Sequence, residues 1–352
     1  MNKTLSNILK FLFFLSLGAG ILYMVYKSQN EAFLADCAQR GIAEQDCNLI
    51  DKLINDFKSV NFGWLAMVLV AFLISNFNRS MKWLILLRPL GYRPRFINAF
   101  LAILVGYFAN LGLPRMGEVV RAGIVAKYEK VPAEKVLGTI VVDRVVDLVL
   151  MALAFGLVLI FEYDKIAYYL SELSATDKES SGPGLLVILG ILFSVLLILG
   201  FIFRKRLMKT ALYEKIYKLF FGFYEGLMTV RKLDTPGWFI FHSVSIWVLY
   251  FLMTWFGFLS FGPTTNLSIS AALTVFAFGT LGMVIPSPGG MGTFHAMVIA
   301  ALTLFYGIQG DDAFSAANII FFTISIGSNV LMGLLSLLLL PIVNRDYEPT
   351  HQ

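Results

Sequence analysis

The sequence predicts an all-α integral membrane protein with about six spanning helices plus two re-entrant broken-helix hairpins, or eight helices in all. Three observations predict it. Hydrophobic residues make up 58% and charged residues only 14% of the 352 positions, whereas ordinary soluble chains are nearer 25% charged. The mean hydropathy of +0.75 arises from long unbroken apolar blocks. Several reach the roughly 20 residues that a bilayer core about 30 Å thick demands of a helix. Two further blocks are interrupted by Pro and Gly, which end a helix locally. Soluble α/β and all-β folds are excluded, and residues 1–352 read as a single polytopic membrane domain.

The first block, 8–26, follows Lys3 and Lys10. It resembles a signal peptide but is longer than a usual apolar region and lacks a small-x-small cleavage site, so it reads as an uncleaved helix. Asp36 before Cys37 argues against a lipoprotein box, which needs a small residue there. Segment 27–60 is polar and is expected on the extracytoplasmic side, where Cys37 and Cys47 either form a bridge worth roughly 3 kcal/mol or remain two thiols. Further spanning helices are expected at 61–78, 136–161, 183–203, 237–261 and 313–341.

The interrupted regions are 96–126 and 268–308. The first breaks at Asn110-Leu-Gly-Leu-Pro-Arg-Met-Gly117 and the second at Ile285-Pro-Ser-Pro-Gly-Gly-Met-Gly292. With the N-terminus inside, the basic stretch Arg79, Lys82, Arg88, Arg93 and Arg95 lies inside. If 96–113 crossed fully, Arg204-Lys205-Arg206 would fall outside, against the positive-inside rule. If 96–126 instead enters and leaves on one side, most Lys and Arg fall inside and most Asp and Glu outside, so a hairpin is expected. Region 268–308 is a matching hairpin from the opposite face or two short crossings; its short return arm favours the hairpin. Irregular backbone at membrane depth is tolerated only inside protein or around a cavity, and paired interrupted helices point to a transporter's binding site. Segment 204–235 mixes Lys with Tyr and Phe, as an interfacial helix on anionic lipid does, or is an ordinary basic loop. Both termini are then cytoplasmic, in a bacterial inner membrane.

The net charge of +5 sits between the apolar blocks rather than on a basic-aromatic platform, so a nucleic-acid partner is not expected. No CxxC pair or His-Cys cluster occurs, and neither a metal nor another cofactor is expected. Ionisable groups inside membrane segments are costly and functional by default. Arg115, Glu118 and Arg121 recur at spacing three and share one helix face. Asp143, Arg144 and Asp147 lie two turns into the next helix and complete a network of three Arg and three carboxylates. Arg115 and Arg121 suit an anionic headgroup such as a phosphate, assisted by the amide of Gly117 at a helix start. Glu118, Asp143 and Asp147 would orient them or carry a proton; a structural salt-bridge network is the alternative. Pro286, Ser287, Pro288, Gly289, Gly290 and Gly292 form a second candidate anion loop, and His295 beyond it can titrate near neutral pH. His242, in a spanning helix, is expected to hydrogen-bond a neighbouring helix.

The stretch from Asn110 to Arg121, the pair Asp143-Arg144, and Pro286-Ser-Pro-Gly-Gly-Met-Gly292 together resemble the transmembrane region of lysylphosphatidylglycerol synthase/flippase proteins. They also resemble the stand-alone bacterial and archaeal membrane proteins related to it. The resemblance implies a lipid-translocating module with membrane lipids as partners and a separate lipid-modifying enzyme as a further partner. The two-part members carry a soluble C-terminal aminoacylating domain; here the sequence ends at Gln352, so aminoacyl transfer is not expected and the chain is not expected to be an enzyme. His295 stands where the family commonly has Glu, which puts any carry-over at that position in doubt. Two alternatives stand beside translocation: a membrane enzyme acting on a lipid phosphate or polyprenyl-linked sugar, and a scaffold for a separate enzyme. Broken helices favour transport, and no ATP-binding P-loop is present.

Overall fold

The structure, a computed structural model, describes residues 47–112, 114–167 and 228–349, with scattered helical positions between 16 and 38. Most of the expected helix 8–26, the whole of the expected helix 183–203 and residues 204–227 of the basic segment lie outside the described residues. Every regular element among the described residues is helical. Those longer than ten residues are α1 (Leu49–Ser59), α2 (Phe62–Leu87), α3 (Phe96–Gly112), α4 (Met116–Glu129), α5 (Ala133–Phe161), α6 (Pro236–Ser260), α7 (Ile269–Val284), α8 (Thr293–Tyr306), α9 (Gly310–Phe321) and α10 (Asn329–Val343). Five stretches are long and apolar enough to cross a bilayer, among them Phe62–Leu90, Ala133–Phe161, Pro236–Ser260 and Gly310–Val343. The chain is a multi-pass membrane protein.

α2 begins at Asn61, whose side chain caps Gly63 at 2.9 Å and whose amide donates to the Ser260 carbonyl at 2.8 Å. The start of α2 therefore meets the end of α6, and the two run antiparallel. Farther along, His242 Nδ1 meets Asn78 Oδ1 at 2.7 Å, the interhelical bond expected of it. α2 also corrects the sequence reading. It continues nine residues beyond the expected end at 78, carrying Arg79 and Lys82 into the bundle rather than a loop. The reason is electrostatic: carboxylates on α5 neutralise both cations, so the apolar run after Lys82 stays helical.

The region 96–126 folds back on itself as charge patterning required. α3 and α4 have 17 and 14 residues, about 25 and 21 Å at 1.5 Å per residue, each short of a full crossing. Their feet lie together. The buried Glu129 carboxylate accepts from the Arg95 amide at 3.1 Å, from Asn98 Nδ2, and from the Tyr347 hydroxyl at 2.8 Å. Desolvation and this bond to Glu129 push the Tyr347 hydroxyl up to about 12. Near the tip, Gly106 and Gly117 let the two backbones touch; a Cβ on Gly117 would strike the Gly106 carbonyl. Small residues permit such close approach between membrane helices.

The second interrupted region is also a hairpin. α7 and α8 have 16 and 14 residues, and Gly279 and Gly282 leave room for Phe294 of the returning arm. Pro288–Tyr306 reaches spanning length only by including the turn Pro288–Gly290, inside which Gly289 has φ 59°. The long helical stretch Gly310–Val343 settles the polarity of the two hairpins. Its start follows the foot of α8, whereas its end meets the foot of α3, where Asn344 Nδ2 donates to Asn98 Oδ1 at 2.7 Å. The hairpins enter from opposite ends of the bundle. Their tips meet inside it, because Gly289 packs against Leu111 so closely that a side chain there would collide. A π-turn, Phe322–Ser328, joins α9 to α10, and Gly333 of α10 lies flat against Phe108 of α3.

At the end away from Asn344, Cys37 and Cys47 form a disulfide with Cα atoms 6.4 Å apart. Next to it, Lys52 of α1 bridges Asp56 at 2.7 Å, Asp312 at 2.7 Å and Asp311 at 3.6 Å. Desolvation would lower the Lys52 ammonium, but Asp312 and Asp56 outweigh it and raise it above its ordinary value. This ties the polar segment to the start of α9.

Candidate functional site

The site grows from three helices that each place ionisable side chains toward one point. α2 supplies Arg79 and Lys82 at spacing three, α4 supplies Glu118 and Arg121 at spacing three, and α5 supplies Asp143, Arg144 and Asp147. Residues three or four apart share a helix face, so each helix presents its set together. Asp143 sits among three cations: Arg79 Nη1 at 3.2 Å, Arg121 Nη2 at 3.5 Å, and Lys82 Nζ. Asp147 receives Lys82 Nζ at 3.2 Å, Arg79 Nη1 at 3.4 Å and Arg144 Nη1 at 3.4 Å. Arg144 Nε reaches Glu118 Oε1 at 2.6 Å.

Burial grades across this cluster. Lys82 is 0%, Asp143 1%, Arg79 3% and Arg121 4% exposed, while the Arg144 and Glu118 side chains are 43% and 30% exposed. Ionised groups at such depth survive only when paired and hydrogen-bonded. A hydroxyl pair extends the network: Arg79 Nη2 donates to Tyr250 at 3.1 Å, and Tyr250 and Tyr107 share a bond of 2.9 Å. The Arg121 guanidinium also lies 5.1 Å from the Trp83 ring centre, a cation–π distance.

Arg121 is the least satisfied of the buried cations, since Arg79 leaves only its Nε without a hydrogen bond. Its Nε and Nη2 make no hydrogen bond among the described residues, although it is 4% exposed. Buried arginine donors are normally satisfied.

The structure brings together five of the six residues expected in the network and adds two that sequence reasoning assigned to a loop. Arg115 is the one left out. It caps the start of α4 with φ 64° and is exposed at the hairpin tip. Arg79 and Lys82 are the additions. Their signal was present, since spacing three followed by Trp83-Leu-Ile-Leu-Leu87 continues an apolar helix, but counting them as loop charges hid it. Tyr107 and Tyr250 carried no such signal.

Several amides of the expected anion loops are engaged within the protein. The Gly117 amide is not free, because it donates to Asn110 Oδ1 at 2.7 Å. In the second break the amides of Ser287, Gly290 and Met291 donate to Ile285, Ser287 and Pro288 carbonyls. These three amides are satisfied within the turn. Pro286 lies at its entrance, Pro288 and Gly290 are buried, and Gly289, Gly290 and Gly292 all have positive φ, a conformation that glycine adopts without strain. Ser287 Oγ pairs with Thr293 Oγ1 at 2.9 Å. His295 is buried, with its ring 4.6 Å from that of Phe321. It does not join the ionic cluster. Among the described residues no group of three His, Cys, Asp or Glu is placed to hold a metal.

Residues 49–333 match the family described as the lysylphosphatidylglycerol synthase TM region. A relative, the UPF0104 membrane protein MJ1595 of Methanocaldococcus jannaschii, is 32% identical over 101 residues. That alignment covers 28% of this chain and 30% of the relative. No solved structure matches the chain.

Proposed function

Because the chain belongs to the family of the lysylphosphatidylglycerol synthase transmembrane region, we propose that it translocates a lipid with an anionic headgroup between bilayer leaflets. One observation carries this reading: two half-length hairpins enter from opposite ends and meet tip to tip, Leu111 against Gly289, in the same bundle as a buried ionic cluster. Interrupted helices meeting at membrane depth are how transporters build a site that faces either side in turn. The exposed Arg115 at the first tip and the half-exposed Arg144 and Glu118 give a headgroup polar contacts on its way to Arg121. The exchange is not a covalent reaction, and its partners are membrane lipids. Positive-inside patterning supports reading both termini as cytoplasmic, and the membrane we propose is a bacterial cytoplasmic one.

The test is leaflet exchange of a tail-labelled anionic phospholipid in vesicles containing the purified protein, with and without a proton gradient. Exchange is expected to depend on the protein and to fall about tenfold or more in Arg121→Ala, because that change removes at least about 1.4 kcal/mol of headgroup interaction. It is expected to fall in Glu118→Gln for the opposite reason, because Arg144 loses its carboxylate partner and the headgroup is held too tightly to leave. Folded protein that moves no anionic lipid under either condition overturns the proposal.

A further inference from the structure

The cluster between α2, α4 and α5 has a charge that can be counted. Among the described residues it holds four cations, Arg79, Lys82, Arg121 and Arg144, against three carboxylates, Glu118, Asp143 and Asp147. One positive charge is left over. It can be assigned. Lys82 and Arg79 each touch both aspartates, and Arg144 holds Glu118 and Asp147. Arg121 touches only Asp143, at 3.5 Å, and shares it with two other cations. Its Nε has no partner among the described residues, and its Nη2 has only that 3.5 Å ionic contact, without a hydrogen bond. The surplus and the free donors therefore belong to the same guanidinium.

We infer that this cluster is a counter-charge site for one phosphodiester monoanion, seated on the free donors of Arg121. The inference rests on the translocation reading and names its substrate class. An uncompensated charge out of water is expensive, so the site gains most from a ligand that brings one negative charge. A planar guanidinium offers parallel N–H donors that match two phosphate oxygens. A doubly charged phosphomonoester overshoots and leaves a buried negative charge. A zwitterionic headgroup brings back a cation beside Arg144. The half-exposed Arg144 and Glu118 mark the mouth through which the diester reaches Arg121. The diester can come from a lipid headgroup or from a free phosphodiester.

The experiment is equilibrium retention of tail-labelled lipids by the full chain in detergent at pH 8. Phosphatidylglycerol supplies a monoanionic diester, phosphatidate a phosphomonoester, and phosphatidylcholine a zwitterion. The native protein is expected to retain phosphatidylglycerol about tenfold better than either of the others, the scale of one unit charge at intermediate dielectric. Arg121→Gln brings the cluster to neutrality and abolishes the preference. Arg121→Lys, which keeps the charge without the fork, restores part of it. Glu118→Gln raises the surplus to two and turns the preference toward phosphatidate. Thermal unfolding of each variant confirms that the fold is intact. Excess dimethyl phosphate tells the sources apart: displacement shows that the diester alone suffices, and retention shows that the lipid is required. Equal retention of phosphatidylglycerol and phosphatidylcholine by the native chain overturns the inference, as does an unchanged ratio in Glu118→Gln. Retention with the expected order but no leaflet exchange overturns the translocation reading alone.

Discussion

Among single residues, Asp143 and Arg115 lie at opposite extremes of the same network of expected functional groups. Asp143 is buried and bonded to three cations, and it holds α2, α4 and α5 to one another. Replacing it with Asn keeps the shape and strands two positive charges where one was left before. Removing one partner of a buried ion pair costs about 3–5 kcal/mol, so Asp143→Asn is expected to lower stability by that order. Arg115 is exposed at the hairpin tip, and exposed substitutions free of packing change stability by no more than about 0.5 kcal/mol. Arg115→Ala is therefore expected to unfold with the native protein and yet slow lipid exchange. Unfolding curves in detergent, read beside the vesicle assay, check both. If Asp143→Asn unfolds with the native protein, the cluster does not clamp the three helices. The sequence showed that Asp143 and Asp147 face one way; it could not show what they face, because the answer lies on a helix some 64 residues earlier.

At the scale of elements, the first hairpin depends on how closely α3 and α4 can approach. Its break was visible in the Pro-Gly cluster, and its same-side return followed from the basic residues between the apolar blocks. The close packing was not visible. Nothing in the pattern said that Gly106 and Gly117 would meet, or that the Gly117 amide would be taken by Asn110 instead of a ligand. The same helix contains its own control. Gly123 has open space where its Cβ would stand, whereas a Cβ at Gly117 strikes backbone that cannot move aside. Gly117→Ala is expected to destabilise by about 1–3 kcal/mol, the range for overpacking. Gly123→Ala is expected to be neutral or to stabilise by up to about 1 kcal/mol through helix propensity. Equal unfolding temperatures for the two variants would show that the hairpin arms are held apart rather than pressed together. The end of α2 was misjudged for a related reason: Arg79 and Lys82 look like loop charges until α5 supplies their carboxylates.

For the whole molecule, the decisive property is that the two hairpins come from opposite ends. Sequence parity left the second region open, since a hairpin and a pair of short crossings both begin and end on one side. The helical stretch Gly310–Val343 resolves it by touching the foot of one hairpin at its start and the foot of the other at its end. This arrangement can be tested without reference to any lipid. Lys127 is exposed near the foot of α4, and Gln309 is exposed just beyond the foot of α8. Cys37 and Cys47 are paired and do not react with thiol reagents. In intact cells, an impermeant thiol reagent is expected to label Gln309→Cys directly and Lys127→Cys only after permeabilisation, because positive-inside patterning predicts a cytoplasmic foot for α4. Labelling in the reverse order would keep the opposed hairpins and invert the molecule, moving the disulfide to the reducing side. Labelling of both from one face would remove the opposed hairpins, and the mid-bundle meeting of Leu111 with Gly289 would then lose its claim to be a site reached from each leaflet in turn.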